Sequence, residues 1–424
     1  MAARKKTTSR RTTSTRKPST SNLDHIPLSE FAARRQHVLK ALGNCVGLVI
    51  AGDHNAHLSG HYTPHPHFEY LTGITDEPGA MLLLDPANPD KNRRETLLLK
   101  PLNPELEQWD GLRDMIGTSL RESTGFKTIF RTNSLARWLN GAVSRTKKMA
   151  LLHPIAPYTA PVSPDLAIFR AVADRMPGAS IEDKSNLLAE LRAVKSPAEV
   201  EMIRLAGRAT GVGFAAVARA IKPGVRERVA QSALEAGFVE GGSSHLAFDS
   251  IVGSGKNATV LHYKTNHNPL KDDSLVVVDA GAKWCGYSAD VTRTFPVNGR
   301  FTKRQAEIYS IVLKAQLAAI NACKPGVWMH EVDAAARKVI SAAGYADAFM
   351  HGVGHHLGLE THDITPEGKL QKGNVVTIEP GIYLPDEELG VRIEDDVEIT
   401  ATGHRVLTSQ IPKMIKEIEK MMAG

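Results

Sequence analysis

The sequence predicts an α/β domain followed by a second domain in which long helices alternate with strand pairs. Three observations carry that prediction. Between Leu28 and about Glu182, short apolar runs alternate with helical periodicity. Beyond that, two long amphipathic segments each stop at a Pro-Gly pair, Pro223-Gly224 and Pro325-Gly326. Several apolar, strand-like runs also end in an acidic side chain, which is costly unless its charge is compensated. With 424 residues and 42% hydrophobic content, the chain can fill two cores.

Residues 1–22 stand apart. The first twenty hold seven basic side chains and no acid, and they are rich in Ser and Thr. Taking those seven from the net charge of +6 leaves the remainder at −1, so the basic balance belongs to the tail alone. Such a segment has too little apolar surface to order itself and is expected to be a disordered basic tail, able to meet anionic surfaces only loosely. Residues 23–184 form the first domain. Ser29–Leu42 reads as a helix; Val46–Ala51, Ala80–Leu84, Glu95–Lys100 and Lys148–Leu152 read as strands; Leu135–Leu139 looks helical. That pattern makes an α/β domain with a mixed sheet. His61, His65 and His67 cluster between the first two strands, but Pro64 and Pro66 interrupt any register, so a loop without metal is expected there. Trp109, in Glu107-Gln-Trp-Asp-Gly111, is of a type usually packed in a core. Pro177–Lys195 reads as the junction.

The second domain, residues 185–424, opens at Ser196-Pro-Ala-Glu199, a capping box with Pro at the first helical position. Met202, Leu205, Ala209, Val212 and Ala216 then give one apolar face. A second long helix is expected at Lys303–Ala322 and a short amphipathic one at Lys413–Met422. Between the long helices lies Val276–Pro296, VVVDAGAKWCGYSADVTRTFP. The valines read as a buried strand running into Asp279, and Ala289–Phe295 as a second strand beginning around Asp290. Gly281 and Gly286 permit a turn, so antiparallel pairing would bring both carboxylates to one side. Downstream come His351-Gly-Val-Gly-His355-His356 with His362-Asp363, then Thr377-Ile-Glu379-Pro-Gly381, then Arg392-Ile-Glu394-Asp-Asp396. Asp279, Asp290, His355, Glu379 and Glu394 supply four carboxylates and one imidazole, a donor set suited to a pair of divalent ions such as Mn²⁺, Co²⁺, Fe²⁺ or Zn²⁺.

These five elements, in this order, resemble the pita-bread metallopeptidases: methionine aminopeptidase, aminopeptidase P and prolidase. Ile251-Val-Gly-Ser-Gly-Lys-Asn257, Leu261-His-Tyr263, Val278-Asp-Ala-Gly281, Asp290–Gly299 and Ile393–Asp396 are similar to aminopeptidase P in particular. The resemblance is strong over about Leu187–Thr408 and weaker over Leu28–Glu182, where Phe68–Gly73 and Glu107–Gly111 carry it. It implies an α/β N-terminal domain followed by an α+β pita-bread catalytic domain. It also implies two divalent ions, Mn²⁺ foremost: Asp279 on one, His355 and Glu379 on the other, Asp290 and Glu394 bridging. The implied reaction is attack by a metal-bridging hydroxide on the bond between an N-terminal residue and a following proline. Glu379 would also shuttle the proton; His262, His351 and His362 would act on the substrate, with Asp396 and Thr292 orienting ligands, His356 packing behind them and Tyr383 closing the pocket. Arg392, two residues before Glu394, would share a strand face with it and gate or orient the catalytic site through a charge-assisted bond. In this family the Trp109 stretch can reach a neighbouring subunit, so a homo-oligomer is expected.

Prolidase, which cleaves Xaa-Pro dipeptides with the same ligands, is the alternative. Between His362 and Glu379 there is no inserted basic segment to grip a dipeptide carboxylate, only Lys369 and Lys372 near a turn, which favours the aminopeptidase. A methionine aminopeptidase would not carry the preceding domain, and creatinase or a non-catalytic pita-bread binding module would lack the ligands. No apolar run approaches the roughly 20 residues a membrane span needs. The N-terminus lacks a signal-like apolar core, and three cysteines without paired spacing suit a reducing compartment, so the cytoplasm is expected, with no membrane or specific nucleic-acid partner.

Overall fold

The computed structural model describes residues 24–53 and 62–424; the basic tail and His61 lie outside the described residues. Six strands form the first sheet: β1 (Val46–Ile50), β2 (Met81–Leu84), β3 (Glu95–Leu99), β4 (Thr128–Arg131), β5 (Lys148–Leu151) and β6 (Ser180–Asp183). They lie in the order β4-β3-β2-β1-β5-β6, with only β2 antiparallel to its neighbours. Strand alternation sends Val46, Leu48, Ile50, Leu83 and Leu98 to one face, against Leu139, Val143 and Phe169 of helices Leu135–Thr146 and Pro164–Ala173. Val49, Leu82, Leu84, Leu97 and Leu99 go to the other, with Phe31, Val38 and Leu42 of helix Leu28–Leu42. The expected α/β domain with a mixed sheet is present.

One expectation fails here. His65 and His67 do not lie in a loop. Pro66 opens a helix, Pro66–Thr72, at the one position where its missing N–H costs nothing, and His65 caps it, Nδ1 accepting the His67 amide at 3.1 Å. Trp109 departs from the usual packed placement of its residue type: it is 86% exposed, and its sequence neighbours Leu106, Leu112 and Met115 are exposed too.

In the second domain, β7 (His245–Leu246) joins the small excursion β10 (Ala282–Trp284) and β11 (Tyr287–Ser288). β8 (Ile251–Ser254), β9 (Leu275–Ala280) and β12 (Val291–Pro296) form an antiparallel sheet, as do β13 (Val375–Ile378), β16 (Asp395–Ile399) and β17 (His404–Val406). β14 (Gly381–Leu384) and β15 (Leu389–Arg392) pair as a hairpin. Two helix pairs, Pro197–Ala220 with Glu227–Glu240 and Lys303–Ala322 with Met329–Ala342, bury their apolar faces in the same core as these strands. The first helix begins with the expected capping box at Ser196 and Glu199.

The two halves repeat one device. Lys222-Pro-Gly-Val225 and Lys324-Pro-Gly-Val327 both follow a long helix, with Gly224 and Gly326 at φ +83° and +87°, where other residues are strained. Gly224 N–H donates to Leu270 (2.9 Å) and Leu270 N–H to Val225 (2.8 Å); Gly326 and Leu370, then Leu370 and Val327, do the same at 2.8 Å each. In both halves a helix follows the turn, and a central strand starts five residues after that leucine. This is the pita-bread arrangement. The domains share a buried apolar cluster in which Phe68 and Leu71 join Met202, Ile203, Tyr287, Leu357 and Leu359. Among the described residues no helix is long and apolar enough to cross a membrane.

At the domain junction His67 and His153 are buried and His65 half-buried, with ring centroids 4.4 to 5.9 Å apart. Each uses a ring nitrogen as an acceptor: His65 from the His67 amide, His67 Nδ1 from Arg192 (3.1 Å), His153 Nε2 from the Ile50 amide (3.1 Å). Burial pushes all three pKa values down, His65 to about 3, with the neighbouring imidazoles and Arg192 adding to the effect at His65 and His67. The unfolded chain protonates these rings near pH 6.5 while the fold keeps them neutral. Their contribution is therefore intact above about pH 6.5 and lost as pH falls below it, by up to about 1.4 kcal/mol per pH unit per ring. His65→Asn, which retains an N-cap acceptor, should show a shallower loss of unfolding free energy than the parent between pH 7 and 5. Equal slopes in denaturant titrations would exclude this account.

Candidate metal centre

The carboxylates are brought together by pairing between segments far apart in sequence. Asp279 sits near the end of β9, paired with Thr292 of β12 on one side and Ile251 of β8 on the other. Asp290 lies just before β12, which starts at Val291 rather than at Ala289, and its amide donates to both oxygens of Asp396, each at 3.3 Å. Glu394 falls between β15 and β16, so it does not share a strand face with Arg392 as expected. It is held instead by its amide to the Thr292 carbonyl (3.1 Å) and by the Thr292 hydroxyl to Oε2 (2.7 Å). Glu379 follows β13, its amide bonded to Val353 (2.8 Å).

His355 comes from the loop facing β13. Its amide donates to the Thr377 hydroxyl and its carbonyl accepts the Thr377 amide, and a Cβ at Gly354 would strike the Thr377 carbonyl. Nδ1 lies 3.0 Å from the His356 carbonyl and must carry the proton, leaving the Nε2 lone pair 3.5 Å from Asp290 Oδ2 and 3.6 Å from Glu379 Oε1. Asp290, His355 and Glu394 present ligand atoms within 4.8 Å of one another.

The electrostatics are lopsided. Asp290 and Glu394 have pKa values pushed well above the carboxylate range, first by burial, then by each other's neighbours among Asp279, Glu379 and Glu394. Glu379 is raised to about 7, again mainly by burial. Among the described residues Arg392 is the one guanidinium set against them, bonding Asp279 Oδ2 at 2.7 Å, while Asp279 Oδ1 is buried without a partner. Unmatched buried anions, an orphaned carboxylate oxygen and a free imidazole nitrogen fit divalent cations.

The site lines a cavity of about 440 Å³. His262, His351, His362 and Arg392 all reach its wall, joined by the apolar side chains Phe248, Ile251 and Leu261. His362 stacks on His355 with centroids 3.9 Å apart. Tyr383 does not close the cavity as expected; it is buried behind it, accepting from Arg392 Nη1 (3.0 Å) and donating to His351 Nε2 (2.8 Å), whose Nδ1 donates to the Gly352 carbonyl. His356 faces away, lining a separate cavity of about 330 Å³ with Glu190 and Asn374.

Sequence reasoning missed two residues. Lys264 lines the cavity, tied to Asp249 at 3.2 Å; its place two residues after His262 was the available signal. Arg293 is fully buried, its five N–H groups reaching the carbonyls of Thr292, Glu394, Ile411 and Pro412 and the carboxylate of Asp395. An arginine inside the Val291–Pro296 strand was itself a sign of a buried acceptor set.

The metallopeptidase family M24 matches residues 201–401, and the aminopeptidase P N-terminal domain matches residues 31–152. An Xaa-Pro aminopeptidase of Haemophilus influenzae is 31% identical over 94% of this chain and 98% of its own length. A mitochondrial intermediate cleaving peptidase 55 of Arabidopsis thaliana is 34% identical over 57% of this chain and 54% of its own. Among solved structures, the aminopeptidase PepP of Pseudomonas aeruginosa superposes with a TM-score of 0.85 at 31% identity, covering 95% of this chain and 99% of that one. Sequence, fold and site agree: the chain belongs to the M24 metallopeptidases, in their aminopeptidase P group, and is a metal-dependent aminopeptidase.

Proposed function

We propose that this enzyme hydrolyses the bond between an N-terminal residue and a following proline, with two divalent ions held by Asp279, Asp290, His355, Glu379 and Glu394. The observation that carries the reading is the set of four carboxylates and one free imidazole nitrogen around a cavity offering a single guanidinium in return. Asp279 would hold one ion, His355 and Glu379 the other, and Asp290 and Glu394 would serve both. When bound, such a pair lowers the pKa of water and polarises the substrate carbonyl. Mn²⁺ is our first choice, as a mainly oxygen donor set favours it; zinc occupies a substituted form of the Escherichia coli aminopeptidase P. We place the domain division between residues 184 and 185, after β6.

The chain's own groups account for the rest of the chemistry. A proline nitrogen carries no hydrogen once acylated, so it must gain a proton to leave. Glu379, half-buried in the cavity wall, would take a proton from water at its carboxylate and return it to that nitrogen. His262 and His362, on the exposed wall, hydrogen-bond the substrate around the scissile bond. His351, fixed in one tautomer by Tyr383 and Gly352, shapes the wall against the proline ring with His362. Arg392 orients Asp279 and, through Thr292, Glu394. The exposed Trp109, Leu106, Leu112 and Met115 form a surface suited to a second copy, so we assign a homo-oligomer. The cysteines Cys45, Cys285 and Cys323 are unpaired, which favours the cytoplasm.

Alanine at Asp290 or Glu394 should abolish turnover and cost metal at both positions, whereas His355→Ala should empty chiefly one and His262→Ala should keep both ions while turnover falls. Metal content of the purified variants decides this: two ions retained by Glu394→Ala would remove its shared role. For specificity, Xaa-Pro-Yaa tripeptides should be cleaved, Xaa-Ala-Yaa peptides should not, and Xaa-Pro dipeptides should be poorer substrates. Cleavage of the dipeptide alone would transfer the enzyme to the prolidases, with Lys264 the cation to examine. Sedimentation or light scattering should give an assembly that Trp109→Ala weakens; a monomeric parent would dispose of the oligomer.

A further inference from the structure

We propose that Glu227 is a positioning residue for His262, acting through the loop that carries it; this rests on the reading of His262 as a substrate-contacting group. Glu227 is the first residue of helix Glu227–Glu240 and is fully buried. Among the described residues it forms no ion pair. Its charge is met instead by the helix N-terminus and by five donors. Oε1 accepts from the Ser254 amide (2.9 Å), the Ser254 hydroxyl (2.7 Å) and the Asn257 side chain (3.3 Å). Oε2 accepts from the Tyr263 hydroxyl (3.0 Å) and the Asn268 amide (2.9 Å).

Those donors bracket one segment. Ser254 ends β8, and the chain from Gly255 to Asn268 then forms the cavity wall with Leu261, His262 and Lys264. The His262 ring is exposed, and no hydrogen bond from another described residue holds it. Its place is therefore set by its backbone. That backbone is held by Tyr263 immediately after it, by Asn257 and Asn268 on either side, by Arg392 Nη2 on the Leu261 carbonyl at 3.4 Å, and further along by Asn266, whose buried side chain bonds Ser250, Val252 and Gln231. The ties from Asn257, Tyr263 and Asn268, which flank His262, all end on the Glu227 carboxylate. Glutamine is nearly the same size but offers a single acceptor oxygen, so its amide would face two donors and the loop would shift. Because a displacement of about 1 Å at a reacting group can cost on the order of 100-fold, a small shift is enough to be read in turnover.

The test is a double-mutant cycle on an Xaa-Pro-Yaa peptide with Glu227→Gln, His262→Ala and both together, measuring kcat, KM and bound metal. Glu227→Gln should lower kcat about tenfold with KM little changed and both ions bound, and the same change should cost almost nothing once His262 is alanine. Tyr263→Phe, which removes one hydroxyl and keeps the ring, should reproduce the pattern more weakly and serves if Glu227→Gln does not fold. An equal loss from Glu227→Gln in both backgrounds, or unchanged kcat with a lower Tm, overturns the inference while leaving His262 in place. Unchanged kcat in His262→Ala overturns both.

Discussion

Four carboxylates crowded around one cavity, three of them buried, repel one another, and much of the surrounding structure holds them together. Burying an anion is costly, and crowding several is more so. The chain meets this locally with hydrogen bonds that fix each group from behind: Asp396 accepts the amide before β12, Thr292 donates to Glu394, and Arg392 pairs with Asp279. None of these removes the excess negative charge. Divalent cations would, and the orphaned oxygen of Asp279 and the Nε2 lone pair of His355 fit the pair of ions proposed above. The same repulsion would open the site if the scaffold were loose, which gives Arg293 its importance. Its five N–H groups tie β12, the Glu394–Asp395 segment and the C-terminal Ile411–Pro412 stretch into one unit.

Three consecutive acids show how finely placement divides roles. Glu394 faces the cavity with its pKa driven up. Asp395 faces Arg293 and Lys413, whose charges hold its pKa down against burial. Asp396 turns back towards Asp290 and is again raised, mainly by burial. One is available to a cation, one is already neutralised, and one orients a neighbour. The centre also lies where the two repeated halves meet. β9 and the residue just before β12 in the first supply Asp279 and Asp290, and the segments flanking the strands after the second Lys-Pro-Gly-Val turn supply Glu379 and Glu394. A single half would carry only two of these four carboxylates.

The first domain bears on the site through the interface. Arg192 reaches from helix Asn186–Ala193 to His67, Glu360 and Asp363, and Lys195 adds a second contact to Asp363 at 3.1 Å. The loop holding His362 is thereby fastened to the first domain's short helix. With Phe68 and Leu71 packed against Leu357 and Leu359, the two domains behave as one packed body at this point rather than as beads on a linker.

The sequence by itself determined the elements whose signals are local. The capping box at Ser196, the helix Lys303–Ala322, the apolar run into Asp279 and the Pro-Gly stops are set by residues within a turn or two of each other. The order of acids and histidines was also enough to point to a metallopeptidase. Tertiary structure decided everything that depends on what lies opposite. Pro66 opens a helix that His65 caps; Trp109 is exposed because no described residue covers it; Tyr383 lies behind the wall because Arg392 and His351 hold its hydroxyl. Which of Glu394, Asp395 and Asp396 meets the cavity was hidden for the same reason, since Arg293 and Lys413 come from other segments. The repeat at Val225 and Val327 was written in four identical residues each, yet it gained meaning only when Leu270 and Leu370 were seen to close both turns in the same way. Local propensity fixes where the chain bends and pairs, while a charge's role depends on partners that only folding brings within reach.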